Sequence, residues 1–517
     1  MDVFAGGVRR SDERFMEMTA TVDDILKDAS SSPNLRHKSL QLAIVFMCSI
    51  GQLSPGAYFL RQDLFPSIST FIKSRDTGIY TFEALLFLGI LANFHKSEAA
   101  RLNPYLLRIK SFDDEECMIR MAWAANFAAN SVIKAYRDIS DDSEATLAIA
   151  FGSLLTSFRS DRTLFPKATE SPRELFRSQP IEAVVVILPI FELLRLNSTF
   201  PVILALSISQ GADQAANTLP LPLTLISLSS YLLTHASSIS SPRATAYANL
   251  ALNTLLSFAQ NESIMGIFCQ PFQGTIRLCR QRLPLLPSTT PPKAPVCALL
   301  DCCVLWLRHN LHKRLEVHSH ITCIWICHRT IWFLQARQMR IEYDWAELWR
   351  AIIGLLAFLS NKVDSLITTG SVEKLARDTV LLLDFALYKA DAFLSTPKAI
   401  HEFVYELIQT AGILKKQQSF LQAARSTSSR RASWQTDDAV KALNHLISVT
   451  DHYEQMVASA GPQSAKQAMR LVAKSIENDG LHIGPGELLQ SEEPLKQTED
   501  VYGFVRYACV DGLALMP

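Results

Sequence analysis

The sequence predicts an all-α chain: an armadillo/HEAT-like α-solenoid with a C-terminal helical domain. Apolar residues recur at three- and four-residue spacing in segment after segment, while period-two alternation bounded by turn residues is almost absent. Each pair of predicted helices with its turns takes about 40 residues, the repeat length of such solenoids. The 517 residues are 48% hydrophobic and only 19% charged, enough apolar surface to bury helices on more than one side.

The helix predicted over Leu35 to Ile50 follows Pro33-Asn34, a breaker and a cap, and stops at Gly51. Tyr58 to Lys73, Tyr80 to Phe94 and Cys117 to Tyr136 follow, separated by Ser74 to Gly78 and by Asn103-Pro104. Within the third of these, Phe82 to Leu91 is apolar over most of its circumference and needs helices stacked on both sides. Asp113 to Glu116 and Asp141-Asp142 flank helix starts, where carboxylates meet the positive end of the helix dipole, so capping explains them better than acid–base chemistry.

Gln179 to Arg243 is the most hydrophobic zone. Between Leu196 and Pro242 the only Asp, Glu, Lys or Arg is Asp213, and 214–242 has none. A membrane span would lie there, and an integral membrane protein of the secretory pathway is the alternative reading. Against it, Leu219 to Leu233 falls short of the ~20 residues a bilayer requires and opens with Pro220 and Pro222. Pro189 and Glu192 interrupt Ala183 to Leu194 in the same way. A buried solenoid helix is the reading preferred.

Leu283 to Pro295 carries five prolines and cannot continue a helix. It is expected to link a helical array over 1–282 to a C-terminal helical domain over 296–480. Helices are predicted there at Val296 to Arg314, His318 to Arg340, Trp345 to Leu359, Ser371 to Leu394, Ala399 to Ala424 and Asp437 to Ala458. Residues 481–517 read as a loosely held tail.

Fifty basic and fifty acidic residues leave no net charge, which removes the long-range field that nucleic-acid binding uses. The ten cysteines sit mostly in apolar runs and read as reduced core thiols of a cytosolic protein. No Gly-rich phosphate loop, GxSxG or HExxH occurs, so neither a catalytic residue nor a cofactor is expected.

His309, His312, His318, His320, Cys323, Cys327 and His328 crowd one stretch, and imidazole and thiolate are the ligands zinc prefers. On a helix His320, Cys323 and Cys327 are one turn apart on one side, so three ligands are geometrically allowed. The apolar residues between them, and the lack of two short-spaced ligand pairs in loops, favour a buried helix that uses cysteine as a small apolar residue. Arg430-Arg431-Ala432-Ser433 is a pattern basophilic kinases favour, in a polar stretch read as an exposed loop. Phosphate on Ser433 would strengthen the start of a helix near Asp437. Trp345 and Trp349, four apart, share one helix face and read as core.

The run Tyr343, Trp345, Glu347, Leu348 and Trp349, continuing to Leu359, resembles the C-terminal domain of the armadillo-like helical domain-containing protein 3 family. Thr396-Pro397 followed by Glu402, Tyr405, Glu406 and Ile408, and Leu443-Asn444 through His452-Tyr453, resemble its next helices in the same order. Leu35 to Ala43 and Asn103-Pro104-Tyr105 resemble its armadillo part, and the chain begins at what resembles an internal point of the family pattern. The resemblance implies a non-enzymatic scaffold in the cytoplasm, peripheral on Golgi membranes. Its partners would be a phosphatidylinositol 4-kinase beta-like lipid kinase and a Golgi Arf exchange factor, and its role phosphatidylinositol 4-phosphate supply, Golgi organisation and secretion.

Overall fold

The computed structural model describes residues 8–49, 58–94, 103–140, 173–211, 218–237, 241–286, 293–312, 314–366, 371–427, 430–461, 464–481 and 501–516. Among them there is no strand beyond two isolated bridges, Phe272 with Lys293 and Ile341 with Leu394. The chain is all-α and armadillo-like. Its contacts divide it into two compact units, Met1–Ser257 with Gln273–Pro291 and Lys496–Pro517, and Phe258–Phe272 with Pro292–Leu495.

In the first unit α1 (Val8–Lys27) and α2 (Pro33–Ser49) pack on each other, as do α3 (Phe65–Lys73) and α4 (Thr81–Ala92). Packing also skips one helix, α1 on α3 and α2 on α4, which is how stacked pairs cover each other's apolar faces. Arg36, 2% exposed, donates from Nε and Nη2 to the Leu26 carbonyl at 3.1 and 2.8 Å, satisfying an orphan acceptor at the end of α1. The helix expected over Tyr58 to Lys73 is broken: Pro66 lacks an N–H and crowds the residue before it, and the Asp63 carboxylate accepts from Phe65 N at 3.2 Å to start α3 afresh.

α5 (Pro104–Ser111) leads into α6 (Glu115–Ile139), whose first turn is capped by Asp114 accepting from Cys117 N at 3.0 Å. α7 (Ile187–Leu196) crosses α4 so closely that a Cβ on Gly89 would lie 2.9 Å from Pro189 Cδ. Asn197 joins three elements: its amide donates to the Ile109 and Phe112 carbonyls, and its oxygen caps α8 (Phe200–Gly211) by accepting from Phe200 N at 2.7 Å.

α9 (Leu221–His235) is buried along its whole length, against α6 and α8. It supplies 15 residues of the uncharged stretch; 214–217 and 238–240 lie outside the described residues. Among the described residues no single helix is long and apolar enough to cross a membrane; one pair, Glu182–Leu196 with Phe200–Ser209, passes together but is bent by 107°. α10 (Pro242–Gln260) follows, and α11 (Glu262–Phe268) belongs to the second unit.

The second unit stacks in the same way. α12 (Pro295–His309) packs on α13 (Val317–Ala336) and on α14 (Trp345–Leu366), and α13 packs on α15 (Val372–Tyr388). α16 (Ala390–Phe393), α17 (Pro397–Gln409), α18 (Ala411–Thr427), α19 (Arg430–Ala460) and α20 (Ala465–Asp479) complete it. The single helix expected over Ala399 to Ala424 breaks at Thr410, whose hydroxyl turns back to the Glu406 and Leu407 carbonyls at 2.9 Å.

Two expectations need correcting. The polar stretch 425–434 is largely helical: α18 runs to Thr427 and α19 starts at Arg430, well before Asp437, with 428–429 outside the described residues. The end of the chain is not a loose tail throughout. α21 (Val501–Ala514) packs on α2 and α4 of the first unit, with Phe504, Ala508 and Asp511 buried. Cys509 there hydrogen-bonds Cys48 of α2.

Candidate functional site

The conspicuous exposed feature of the first unit is on α6. Its alanine-rich face, with Met121, Ala125, Ala128, Val132 and Tyr136, is buried, while Ile119, Trp123 and Phe127 at four-residue steps are 55%, 68% and 69% exposed. The Trp123 and Phe127 rings stack with centroids 6.2 Å apart. The neighbouring α8 exposes Val202 and Leu206, again four apart. An all-helical surface with an uncovered aromatic stripe offers chemistry suited to gripping another apolar surface. The sequence carried the signal, because the stripe falls outside the alanine face of the same helix, but the reading of 117–136 as one helix did not separate the two faces.

The family-like residues build the core of the second unit. Tyr343, Trp345 and Trp349 lie at the start of α14, Trp345 2% and Trp349 0% exposed. Trp345 stacks on Trp349 at 5.7 Å, Trp349 on Phe403 of α17 at 4.2 Å, and Trp345 meets Phe393 edge-on at 5.0 Å. Leu348 is buried between the tryptophan turns. Glu347 pairs with Arg308 of α12 and with Arg350 at 2.9 Å, and Arg350 reaches Glu406 of α17 at 2.8 Å, so an ion-pair chain spans three helices. Thr396 is the N-cap of α17, accepting from Ala399 N at 3.2 Å with Pro397 in the first turn, and Tyr405 is half-buried on that helix.

Tyr343 donates to Asp301 at 3.0 Å under the Lys293 ammonium, which lies 5.5 Å from the ring centroid. Burial raises the Asp301 carboxyl to about 6 against the pull of Lys293 and the Tyr343 hydroxyl. Burial and then Asp301 push the Tyr343 phenol well above its ordinary value. These groups tie α12 to α14.

Of the metal candidates, Cys323 and Cys327 come together with a residue the spacing did not indicate, Cys303 on α12. The three sulfurs lie within 4.8 Å of one another and all three residues are buried. The Cys323 thiol donates to the Cys303 carbonyl at 3.7 Å; the neighbouring thiols hold Cys327 below the ordinary cysteine range and, with burial, raise Cys303, while burial raises Cys323. His320 is not within that group. Its ring packs against Trp306 at 5.1 Å, Nδ1 meets the Glu316 carbonyl at 2.9 Å, and Nε2 is buried without a partner. Burial lowers its pKa to about 4, so the ring is neutral. The signal for the third thiol was Cys302-Cys303 in the preceding helix, a residue pair that matters only once α12 and α13 lie side by side. Ser433 falls in the first turn of α19 rather than in a loop, and its side chain lies outside the described residues.

Residues 293–502 match the family described as "Armadillo-like helical domain-containing protein 3, C-terminal". A Schizosaccharomyces pombe protein described as a UPF0588 membrane protein is 24% identical over 96% of this chain and 77% of its own length. The armadillo-like helical domain-containing protein 3 of Danio rerio is 21% identical over 78% of this chain and 62% of its own, and that of Homo sapiens 23% identical over 75% and 60%. The chain thus spans about three-fifths of the fish and human proteins. The matched region contains the tryptophan stack, its ion-pair chain and the three thiols. Residues 293–502 carry the C-terminal domain of the armadillo-like helical domain-containing protein 3 family, to whose members most of the chain is similar.

Proposed function

We propose that this helical, scaffold-type chain is a non-enzymatic adaptor, peripheral on the cytoplasmic face of Golgi membranes, where it holds a phosphatidylinositol 4-kinase beta-like lipid kinase and a Golgi Arf exchange factor. The observation that carries the adaptor reading is the exposed Ile119, Trp123 and Phe127 stripe on a helix whose alanine-rich face is buried. The identity of the partners rests on the family resemblance. The test is affinity capture from native cells with the full chain and with a Trp123→Glu, Phe127→Glu double variant. The expected result is recovery of a lipid kinase and Golgi trafficking factors by the first and their loss from the second. Recovery of neither class by the unaltered chain overturns the reading.

A second reading, an integral membrane protein, draws on the bent pair Glu182–Leu196 with Phe200–Ser209 and on the description of the fission-yeast relative. Ile187 to Leu194 are buried inside the first unit, which favours core over lipid. Alkaline carbonate extraction of native membranes separates the two: release is the expected outcome, and retention in the pellet supports the span.

A further inference from the structure

We propose that Cys303, Cys323 and Cys327, joined by Nε2 of His320, bind one structural zinc ion that ties α12 to α13.

The donor set is argued from position. Cys323 and Cys327 are one turn apart on α13, and the adjacent helix α12 brings Cys303 to the same spot, all three sulfurs within 4.8 Å of one another. A zinc–sulfur bond is about 2.3 Å, so three thiolates on one tetrahedral ion stand ~3.8 Å apart. Closing from the present separation takes small side-chain rotations. The three thiols are fully buried, an uncommon crowding of groups that serve each other poorly as hydrogen-bond partners.

His320 gives an independent indication. It lies one turn before Cys323 and outside the 4.8 Å thiol group, and its ring contacts Trp306, one turn after Cys303, so Nε2 reaches the ion once the imidazole turns along the seam between the two helices. With Nδ1 as the donor to the Glu316 carbonyl, the lone pair is on Nε2, which is buried and has no partner. Zinc-ligating histidines are held in this way, one nitrogen fixed by a carbonyl and the other presented to the ion. A buried lone pair without a donor carries a desolvation cost that a cation removes.

Charge selects the ion. Three thiolates and a neutral imidazole around Zn2+ leave a net charge of minus one, whereas a monovalent soft ion such as Cu+ leaves minus two in a site with no counter-charge among its donors. Each ligating thiol releases its proton to solvent as the metal–sulfur bond forms. The site is of closed, structural type, four protein donors with no position left for water. It is independent of the adaptor reading, since it lies in the second unit and the aromatic stripe in the first.

The experiment is elemental analysis of the full chain, purified in reducing buffer without chelator, alongside a Cys303→Ala, Cys323→Ala double variant, His320→Ala, and Cys117→Ala as a buried thiol elsewhere. About one zinc per chain is expected in the unaltered protein and in Cys117→Ala, with at least about a tenfold loss of affinity in the other two. Because the double variant is able to misfold, Co2+ is also loaded into the unaltered chain after zinc removal. A thiolate-to-cobalt charge-transfer band is the expected signature. A cooperatively folding chain that carries no zinc and takes up neither zinc nor cobalt overturns the proposal, as does zinc whose retention ignores the loss of Cys303 and Cys323. Unchanged zinc affinity in His320→Ala overturns the imidazole as a ligand.

Discussion

Asp511 accepts from Arg243 Nε through both carboxylate oxygens, at 2.9 and 3.0 Å, across 268 positions of sequence, and the Tyr247 hydroxyl donates to the same carboxylate. Asp511 is 3% exposed, and burial raises its carboxyl against the opposing pull of Tyr247 and Arg243. Phe504, two turns earlier on the same face of α21, meets Tyr247 edge-on at 4.7 Å. The last helix is therefore held by an ionic and an aromatic contact to one turn of α10. Asp511→Ala leaves a cation and a phenol without their acceptor, and breaking a buried pair from one side costs about 3 kcal/mol. Urea denaturation is expected to show that loss in the first unit; an unchanged midpoint would mean α21 contributes nothing to it.

Gly89→Val tests the crossing of α4 and α7. Its Cβ would meet Pro189 at 2.9 Å, and a proline ring on a helix cannot swing aside. Overpacking of this kind costs about 1–3 kcal/mol, read as a lowered melting temperature of the chain. Gly266→Ala, whose Cβ would find nothing within 4 Å, is the control expected to leave the melting temperature unchanged or raised.

His235 gives the first unit a pH dependence. Its ring stacks on Phe176 at 4.0 Å and Tyr136 at 5.5 Å, with Gln281 at 3.0 Å and the Cys279 sulfur at 3.8 Å from Nε2. Burial lowers its pKa to about 4, offset by Gln281 and reinforced by Arg282. Between that value and the ordinary 6.5 the unfolded chain binds the proton and the folded chain does not, so stability rises with pH. The contribution is complete above about 6.5 and is lost as pH falls toward 4, up to ~3 kcal/mol for a shift of this size. His235→Phe is expected to flatten the stability profile over that window; an identical slope in the variant would assign the effect elsewhere.

The two tryptophan sites are expected to behave oppositely. Trp349→Ala empties the centre of the second unit and costs about 3–5 kcal/mol. Trp123→Ala, 68% exposed, changes stability by no more than about 0.5 kcal/mol yet weakens capture of a partner. Denaturant melts and affinity capture on both variants give the comparison.

Helix content was legible because periodicity is local: Phe82 to Leu91 is apolar over most of its circumference, and Ala84 to Leu91 are buried in α4 as that pattern requires. Breaks were less legible. Pro66 sits inside an apolar run, and Thr410 interrupts one only because its hydroxyl bonds back to the preceding turn. Val501 to Ala514 follows a Gly-, Pro- and Glu-rich stretch and reads as loose along with it, because its burial depends on α2, more than 450 positions away in sequence. A Cβ on Gly512 would stand 3.6 Å from the Cys48 sulfur, in ordinary van der Waals contact with α2. The thiol cluster was visible as two of its three members, the third being supplied by the packing of α12 on α13.

Because α21 packs on α2, the first unit is closed by pieces that lie more than 450 positions apart in sequence. A ribosome delivers residues at about 5–20 per second, and upstream domains ordinarily finish folding during that delivery. Here the apolar seat between α2 and α4 stays uncovered until Val501–Ala514 has been made, more than 400 residues after α4 itself. The interval invites chaperone engagement, and a chain cut short before Val501 leaves helices made more than 400 residues earlier without their cover.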